Sequence, residues 1–227
     1  MGAAALSFRK LMLVALSAGA IAGLVLFLIQ SFTIVPLIHS AETYENNPIS
    51  GAVSSVHADE GWHPAEGWQR ISLTAITTIL GGIGFAATLF GLMALSGKSI
   101  DAKRGALWGL AGFICFSLAP ALGLPPQPPG AAAADLSQRQ IWWASTVIAT
   151  AIGIWLITGE HRTWPLRIFG VGCVLLPHVI GAPVVVGQSN VPAELVRRFA
   201  IESVLTNGIF WVVVGTLGGL IHSRNLE

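Results

Sequence analysis

The stretch from residue 39 to residue 70 carries the side chains best suited to chemistry. It holds three of the six histidines and five of the eleven acidic residues, and its only basic residue is the last one, Arg70. Neutral imidazoles mixed with carboxylates suit a borderline divalent cation, and the stretch has no cysteine or methionine for a softer metal. The stretch is therefore predicted to collect a divalent metal ion. The candidate ligands within it are His39, Glu42, Glu45, His57 and His63.

The first three candidates follow one another at a regular interval. His39, Glu42 and Glu45 are each three residues apart. If the apolar segment before them continues as a helix, their side chains lie along one face of it. Pro36 would kink such a helix, because proline has no N–H and its ring crowds the preceding turn.

His57 and His63 belong to a second series of histidines and acids with the same interval. Here Gly61 and Pro64 argue against a helix, so the spacing alone does not place these side chains together. A solvated acidic loop without a ligand is the alternative for each residue. The cluster as a whole favours metal binding, because charges are scarce elsewhere in the chain.

His178 is a separate candidate ligand. It lies in residues 175–183 (LLPHVIGAP), where two prolines and a glycine indicate the end of a helix. Ionisable residues at membrane depth are costly and usually line a pathway, which favours a role in metal binding. The alternative is a histidine bonded to a backbone carbonyl that Pro177 leaves without a donor.

Two acids complete the set of candidates. Glu202 begins the last apolar segment, where the alternative role is to complement the helix dipole. Asp135 follows a proline-rich turn, where the alternative role is to cap the next helix. Together with His178 and Asn207, these acids could form a second, deeper metal station beneath the loop.

The composition indicates an integral membrane protein. Of 227 residues, 53% are hydrophobic and 10% are charged, whereas a soluble domain carries about 25% charged residues. A net charge of +1 argues against a nucleic-acid partner bound through phosphate contacts. Cys115 and Cys173 lie in apolar runs and are predicted to be buried thiols rather than a disulfide.

Six mostly apolar segments are predicted to cross the membrane; the first four carry no Asp, Glu, Lys or Arg, whereas the fifth contains Arg167 and the sixth contains Glu202. A bilayer requires roughly 20 apolar residues. Five of the segments are close to that length or longer, and the fifth in order, 166–181, is short. The first is too long for the apolar region of a signal peptide. Five prolines between Pro120 and Pro129 are expected to stop the third helix and form a stiff, extended turn. The segments are 11–38, 71–97, 105–124, 141–158, 166–181 and 199–221.

These segments predict an all-α integral membrane protein, one transmembrane domain over residues 1–227. Residues 39–70 form a long extracytoplasmic loop between the first two helices. Orientation follows from the excess of Lys and Arg on the cytoplasmic side. With both termini inside, eight basic residues face the cytoplasm and four face outward. The eight are Arg9, Lys10, Lys98, Lys103, Arg104, Arg162, Arg167 and Arg224, and the four are Arg70, Arg139, Arg197 and Arg198.

Several motifs fail to match, and this argues against an enzyme. Residues 91–99 (GLMALSGKS) resemble a phosphate-binding loop but have one residue too many between the glycines, and they follow an apolar helix. A haem held between helices would require paired axial histidines, and only His178 lies inside a predicted span. We therefore expect no catalytic residues and no bound organic cofactor.

At this level of detail the chain resembles the CbtA family, predicted cobalt-transporter subunits of the bacterial inner (plasma) membrane. The resemblance runs through nearly the whole chain and lies in a series of short matches in order. They are AETYE at 41–45, EGWQR at 66–70, WGLAGF at 108–113, LAPALGLPP at 118–126, ADL at 134–136, RQIWW at 139–143, PHVIGAP at 177–183, VPAEL at 191–195, Asn207 and Phe210-Trp211.

The resemblance implies Co²⁺ uptake for cobalamin synthesis, beside a small single-span, histidine-bearing partner subunit and in contact with membrane lipid. Ni²⁺ is the alternative cargo, because ligand softness hardly separates the two metals. The rival functional hypothesis is a non-conducting membrane scaffold or a metal-sensing subunit. Two positions depart from the family: residues 57–60 (HADE) carry fewer ligands than expected, and Gln127 stands where an acid is expected.

Overall fold

The fold was derived from a computed structural model, which describes residues 2–45, 64–65, 67–97, 100–160, 162–185, 187 and 189–224. These residues form helices and connecting segments and contain no strand, so the predicted all-α class is confirmed for the described chain. The helices are α1 (Gly2–Phe32), α2 (Ile34–Glu45), α3 (Trp68–Leu95), α4 (Ala102–Gly123), α5 (Leu136–Thr158), α6 (Trp164–Ile180) and α7 (Ala193–Arg224).

Five of these helices are long and apolar enough to cross a membrane: α1, α3, α4, α5 and α7. Helix α6 is apolar but has only 17 residues, slightly fewer than a perpendicular span usually needs. The apolar runs of the sequence therefore located the helices correctly. The sixth span stays a prediction.

The predicted first span and the predicted loop have different boundaries in the structure. The helix from Gly2 stops at Phe32, Thr33 forms a turn, and α2 continues to Glu45. Pro36 lies in the first turn of α2, where a missing N–H leaves no helical bond unmade. Residues 39–45, predicted as loop, are therefore helical. Hydropathy marks where the chain turns polar rather than where its helix ends.

Helix α7 also begins earlier than predicted, at Ala193 rather than at residue 199. Two ion pairs join residues about one helical turn apart in this polar first section: Arg197 pairs with Glu194, and Arg198 pairs with Glu202. Pairs at these spacings support a helix without apolar residues. Glu202 consequently lies well inside the helix rather than in its first turn.

Helix α4 contains a wide π-helical section at Ile114–Leu118 and continues through Pro120 to Gly123. The expectation that Pro120 stops the helix was wrong. Pro120 cannot donate to the carbonyl of Phe116, four residues earlier. The indole Nε1 of Trp143 donates to this carbonyl instead, at 3.1 Å. A side chain from α5 thus satisfies the acceptor that the proline exposes.

The chain divides into two compact units. Unit 1 comprises residues 1–36, 46–110 and 209–227. Its helices meet through glycines: a Cβ on Gly19 of α1 would lie 2.6 Å from the Cα of Ile83 in α3. In the same way, Gly105 of α4 meets the backbone carbonyl of Gly215 in α7. Such close backbone approach is the packing typical of membrane helices.

Unit 2 comprises residues 37–45 and 111–208. It contains the π-helical section of α4, the whole of α5 and α6, and the first half of α7. Helices α5 and α6 approach closely where Gly153 and Gly170 face each other, a Cβ on Gly153 lying 2.7 Å from the Gly170 carbonyl oxygen. Beyond this crossing, indoles, prolines and polar side chains fill the unit.

Candidate cation site

Unit 2 contains every predicted ligand whose side chain the structure describes. These are His39, Glu42, Asp135, His178 and Glu202. For Glu45 the helical backbone is described but the side chain is not, and His57 and His63 lie outside the described residues. Each described candidate has a different environment.

His39 and Glu42 form a pair on α2. The Nδ1 atom of His39 lies 3.3 Å from Oε2 of Glu42, as the interval of three residues predicted. Leu37 and Ala41 of the same helix are buried, so packing holds the helix in place while the His39 side chain stays half exposed. An exposed pair adds little to stability, but it presents one nitrogen and one carboxylate to solvent together.

Asp135 caps α5. One of its carboxylate oxygens accepts hydrogen bonds from the backbone N–H of Ser137 at 3.0 Å and of Gln138 at 3.2 Å, and from the Ser137 hydroxyl. These donors hold the pKa of the Asp135 carboxyl below its usual value, and the Ser137 hydroxyl has the largest effect. The capping role considered from the sequence is therefore present in the structure.

His178 lies close to the C-terminal end of α6 against the first turns of α5. Its ring makes an edge contact with the Trp142 indole, with ring centroids 5.9 Å apart. The Trp142 Nε1 donates to the carbonyl of Pro120 at 3.4 Å. The histidine is partly buried and Pro177 before it is fully buried, so its position is set by packing of α6 on α5.

Glu202 is the most unusual candidate, because its two carboxylate oxygens differ. Oε1 accepts a hydrogen bond from Nε of Arg198 at 2.7 Å. Oε2 is buried and has no hydrogen-bond partner among the described residues. The Glu202 side chain is 21% exposed whereas that of Arg198 is 62% exposed. An exposed surface cation therefore neutralises a carboxylate that is itself mostly removed from solvent.

Unit 2 contains a cavity of about 600 Å³, lined by Ser203, the residue after Glu202 in sequence. It lies between the end of α4, the start of α5 and the first half of α7. Arg139 lines the cavity, and so do uncharged polar side chains from all three helices: Ser117, Gln140, Ser203 and Asn207. The oxygens of these four uncharged side chains can accept hydrogen bonds from the water shell of a cation, whereas the positive charge of Arg139 opposes cation entry.

Contacts within unit 2 connect the two deeper candidates. His178 touches Trp142, and Trp142 donates to the Pro120 carbonyl. Pro120 lines the cavity together with Ser203, the neighbour of Glu202 in sequence. His178 and Glu202 thus lie at the same end of the unit. However, no three His, Cys, Asp or Glu side chains of the described chain lie close enough together to hold a metal ion.

Several polar side chains of unit 2 were not predicted from the sequence. Arg198 could have been found from its spacing, because residues four apart face each other on a helix. Ser117 and Gln140 gave no signal, since serine and glutamine in an apolar run also occur as ordinary interior residues. The sequence likewise gave no indication that the hydroxyls of Thr146 and Thr150 are buried without a hydrogen-bond partner among the described residues.

The fold and the site define a class of protein: a multi-pass helical membrane protein with a polar interior at one end of unit 2. Residues 8–223 match the family model described as "Probable cobalt transporter subunit (CbtA)". The match covers nearly the whole chain, and the chain belongs to this family. The description gives cobalt transport as the probable function of the family, and the word "subunit" implies partner proteins. No curated protein matched the chain, and neither did a solved structure.

Proposed function

We propose that this chain is the membrane subunit that moves Co²⁺ inward for cobalamin synthesis. Co²⁺ is the transported substrate, with Ni²⁺ as the alternative cargo of similar ligand preference. The single observation that carries the proposal is Glu202, a carboxylate with one oxygen buried and unpartnered among the described residues. An uncompensated buried carboxylate oxygen destabilises a protein, and a divalent cation is the ligand that compensates it best.

Arg198 supports this role as a displaceable substitute for the cation. Its guanidinium occupies Oε1 of Glu202 while most of its side chain remains in contact with solvent. An arriving Co²⁺ can replace it, because the arginine can turn outward at little cost in burial. The carboxylate is then neutralised both with and without cargo.

The remaining ligands form a two-station route. Hydrated Co²⁺ is first gathered at the outer surface by His39, Glu42, Glu45, His57 and His63. Asp135 is the ligand that the ion meets between this surface station and the deeper one. His178 and Glu202 receive the ion deeper in the protein. Since no group of three charged or imidazole ligands exists among the described residues, the ion keeps part of its water shell. The neutral oxygens of Ser117, Gln140, Ser203 and Asn207 in the cavity of unit 2 suit such a partly hydrated ion.

Orientation and assembly complete the proposal. We propose that both termini lie in the cytoplasm of a bacterial inner membrane, because the six-span topology assigns eight of the twelve Lys and Arg residues to the same side as the termini. The loop and the metal site then face outward. A small single-span subunit bearing histidines is the proposed partner, and it would add ligands that this chain lacks.

Radioactive cobalt uptake tests the proposal in cells that carry the chain with its partner and no other cobalt importer. Glu202→Gln keeps the shape of the side chain but removes its charge, so we expect uptake to fall by about tenfold or more, the effect of losing a metal-supporting group. Glu194→Gln is the matched control. It lies on the same helix and also pairs with an arginine, but it is exposed, and we expect less than a twofold change.

Equal uptake by the native chain and Glu202→Gln would refute the role of Glu202. A different outcome would favour the scaffold or sensor hypothesis: cobalt binds to the purified chain, Glu202→Gln abolishes binding, and yet cells with chain and partner take up no cobalt.

A further inference from the structure

Two threonines of α5 differ from the other hydroxyl residues of the helices. Thr146 and Thr150 are fully buried, and their Oγ1 atoms have no hydrogen-bond partner among the described residues. Several helical threonines elsewhere in the chain, such as Thr74 and Thr78, donate to the carbonyl four residues earlier, and Thr158 of α5 does so to Ile154 at 2.8 Å. The hydroxyls of Thr146 and Thr150 are thus not satisfied by their own helix.

The contacts between α5 and α6 show what these threonines face. Toward the start of α5, the Trp142 ring touches His178. Toward its end, Gly153 faces Gly170. The threonines lie between these two contacts, one turn apart and on the same face of α5. They therefore face the part of α6 between Gly170 and His178.

That part of α6 presents oxygen with a negative partial charge. Pro177 is buried there and has no N–H to give to the carbonyl of Cys173, four residues earlier. The helix ends soon afterwards at Ile180, and the C-terminal end of a helix carries the negative end of its dipole. The part of α6 opposite the two hydroxyls thus includes a carbonyl without its helical donor, close to a helix end that favours positive charge.

The chemistry of this cluster selects a monovalent cation. Residues 140–159 of α5 and its end carry no charged side chain. A divalent ion in a buried site relies on carboxylates to balance its charge, and none is present in that segment. Hydroxyl and carbonyl oxygens with a helix C-terminus are the groups that hold Na⁺ inside transporters.

We propose that Thr146 and Thr150, with the carbonyl of Cys173, bind a dehydrated alkali cation between α5 and α6. The site is separate from the proposed Co²⁺ ligands. In a cobalt transporter subunit, a second cation bound at membrane depth would couple cobalt movement to an alkali-cation gradient.

Thermal unfolding of the purified full chain in detergent tests the proposal without cobalt. The protein is compared in NaCl, KCl and choline chloride at equal concentrations. A bound ion stabilises the folded state, so Tm should rise by roughly 2–4 °C in NaCl or KCl relative to choline chloride. Thr146→Val and Thr150→Val should lose this rise. They keep the side-chain shape and remove only a hydroxyl without a partner, so they should fold.

Thr158→Val is the matched control, because that hydroxyl already bonds within its own helix; it should keep the full rise. Absence of a rise in the native chain would overturn the proposal. So would an equal rise in all four proteins. A Tm change in the two buried-threonine variants that is the same in all three salts would indicate a water-filled gap, and this would also overturn it.

Discussion

The two compact units of this chain use opposite kinds of packing. In unit 1, backbones touch directly at glycines such as Gly19 of α1 against Ile83 of α3, and Gly105 of α4 against Gly215 of α7. Unit 2 has one such glycine crossing, at Gly153 against Gly170, and it also contains a π-helical section, buried prolines and polar side chains. The difference separates a closely packed framework from a region able to bind ions.

Close glycine packing leaves no room for ligands. A helix pair in van der Waals contact through backbone has every N–H and C=O in its own helical bonds. A binding region needs the reverse, with exposed acceptors and side chains that reach them. Unit 2 meets that need where Pro120 exposes the Phe116 carbonyl to Trp143 and where Pro177 deprives Cys173 of a donor.

The largest expected effect comes from adding one methyl group to the framework. In Gly105→Ala the new Cβ meets the Gly215 carbonyl oxygen and must push the two backbones apart. Overpacking of this kind costs about 1–3 kcal/mol or more, so we expect a large loss of folded protein, measured by thermal unfolding in detergent.

Gly91→Ala is its control, since a Cβ there meets nothing within 4 Å. Its stability should change by less than about 1 kcal/mol, in the stabilising direction, because alanine is the better helix former. If the two variants were equally stable, the glycine contacts would not define the framework.

A second, smaller effect compares histidines in the two units. We expect His178→Ala in unit 2 to reduce cobalt uptake about tenfold, because it removes a proposed ligand. His222→Ala, which lies in unit 1, should reduce uptake less than twofold. Unfolding measured in parallel separates loss of the ligand from loss of the Trp142 contact. Equal uptake defects in both variants would remove the reason to place the site in unit 2.

The smallest effect concerns the cap of α5 at Asp135. The folded-state pKa of its carboxyl is lowered, first by the Ser137 hydroxyl. The carboxylate therefore stabilises the folded state above its unfolded pKa of about 3.9, and this contribution is lost as the pH falls through the lower folded-state pKa.

Asp135→Asn keeps a capping oxygen that does not titrate. Its Tm should therefore decline less than that of the native chain between pH 5 and the acid limit of folding, roughly the range in which Asp titrates. Identical acid profiles would show that the cap does not contribute to stability through its charge.

The sequence predicted the helices of this chain far better than their ends. Apolar runs report which residues tolerate lipid, and this located every long helix. They do not report helix boundaries, so they predict a loop where α7 begins. Arg197 and Arg198 support this charged first section of the helix through ion pairs with Glu194 and Glu202. In the π-helical section the carbonyl of Phe116 accepts a hydrogen bond from an indole 27 residues away, and no local pattern contains that information.

The candidate site was predicted in part for the same reason. The interval between His39 and Glu42 is local, and the structure shows the contact. Which residues share the polar end of unit 2 depends on how α4, α5, α6 and α7 pack. Glu202 could be named from its unusual depth, but the burial of one of its two oxygens follows only from that packing.

The most direct test of the central claim is equilibrium binding of radioactive Co²⁺ to the purified chain, comparing the native protein with Glu202→Gln and Glu194→Gln. The proposal predicts that the dissociation constant rises about tenfold or more in Glu202→Gln and stays within twofold of the native value in Glu194→Gln. Unchanged cobalt affinity in Glu202→Gln would contradict the assignment of the buried carboxylate as a ligand of the transported ion.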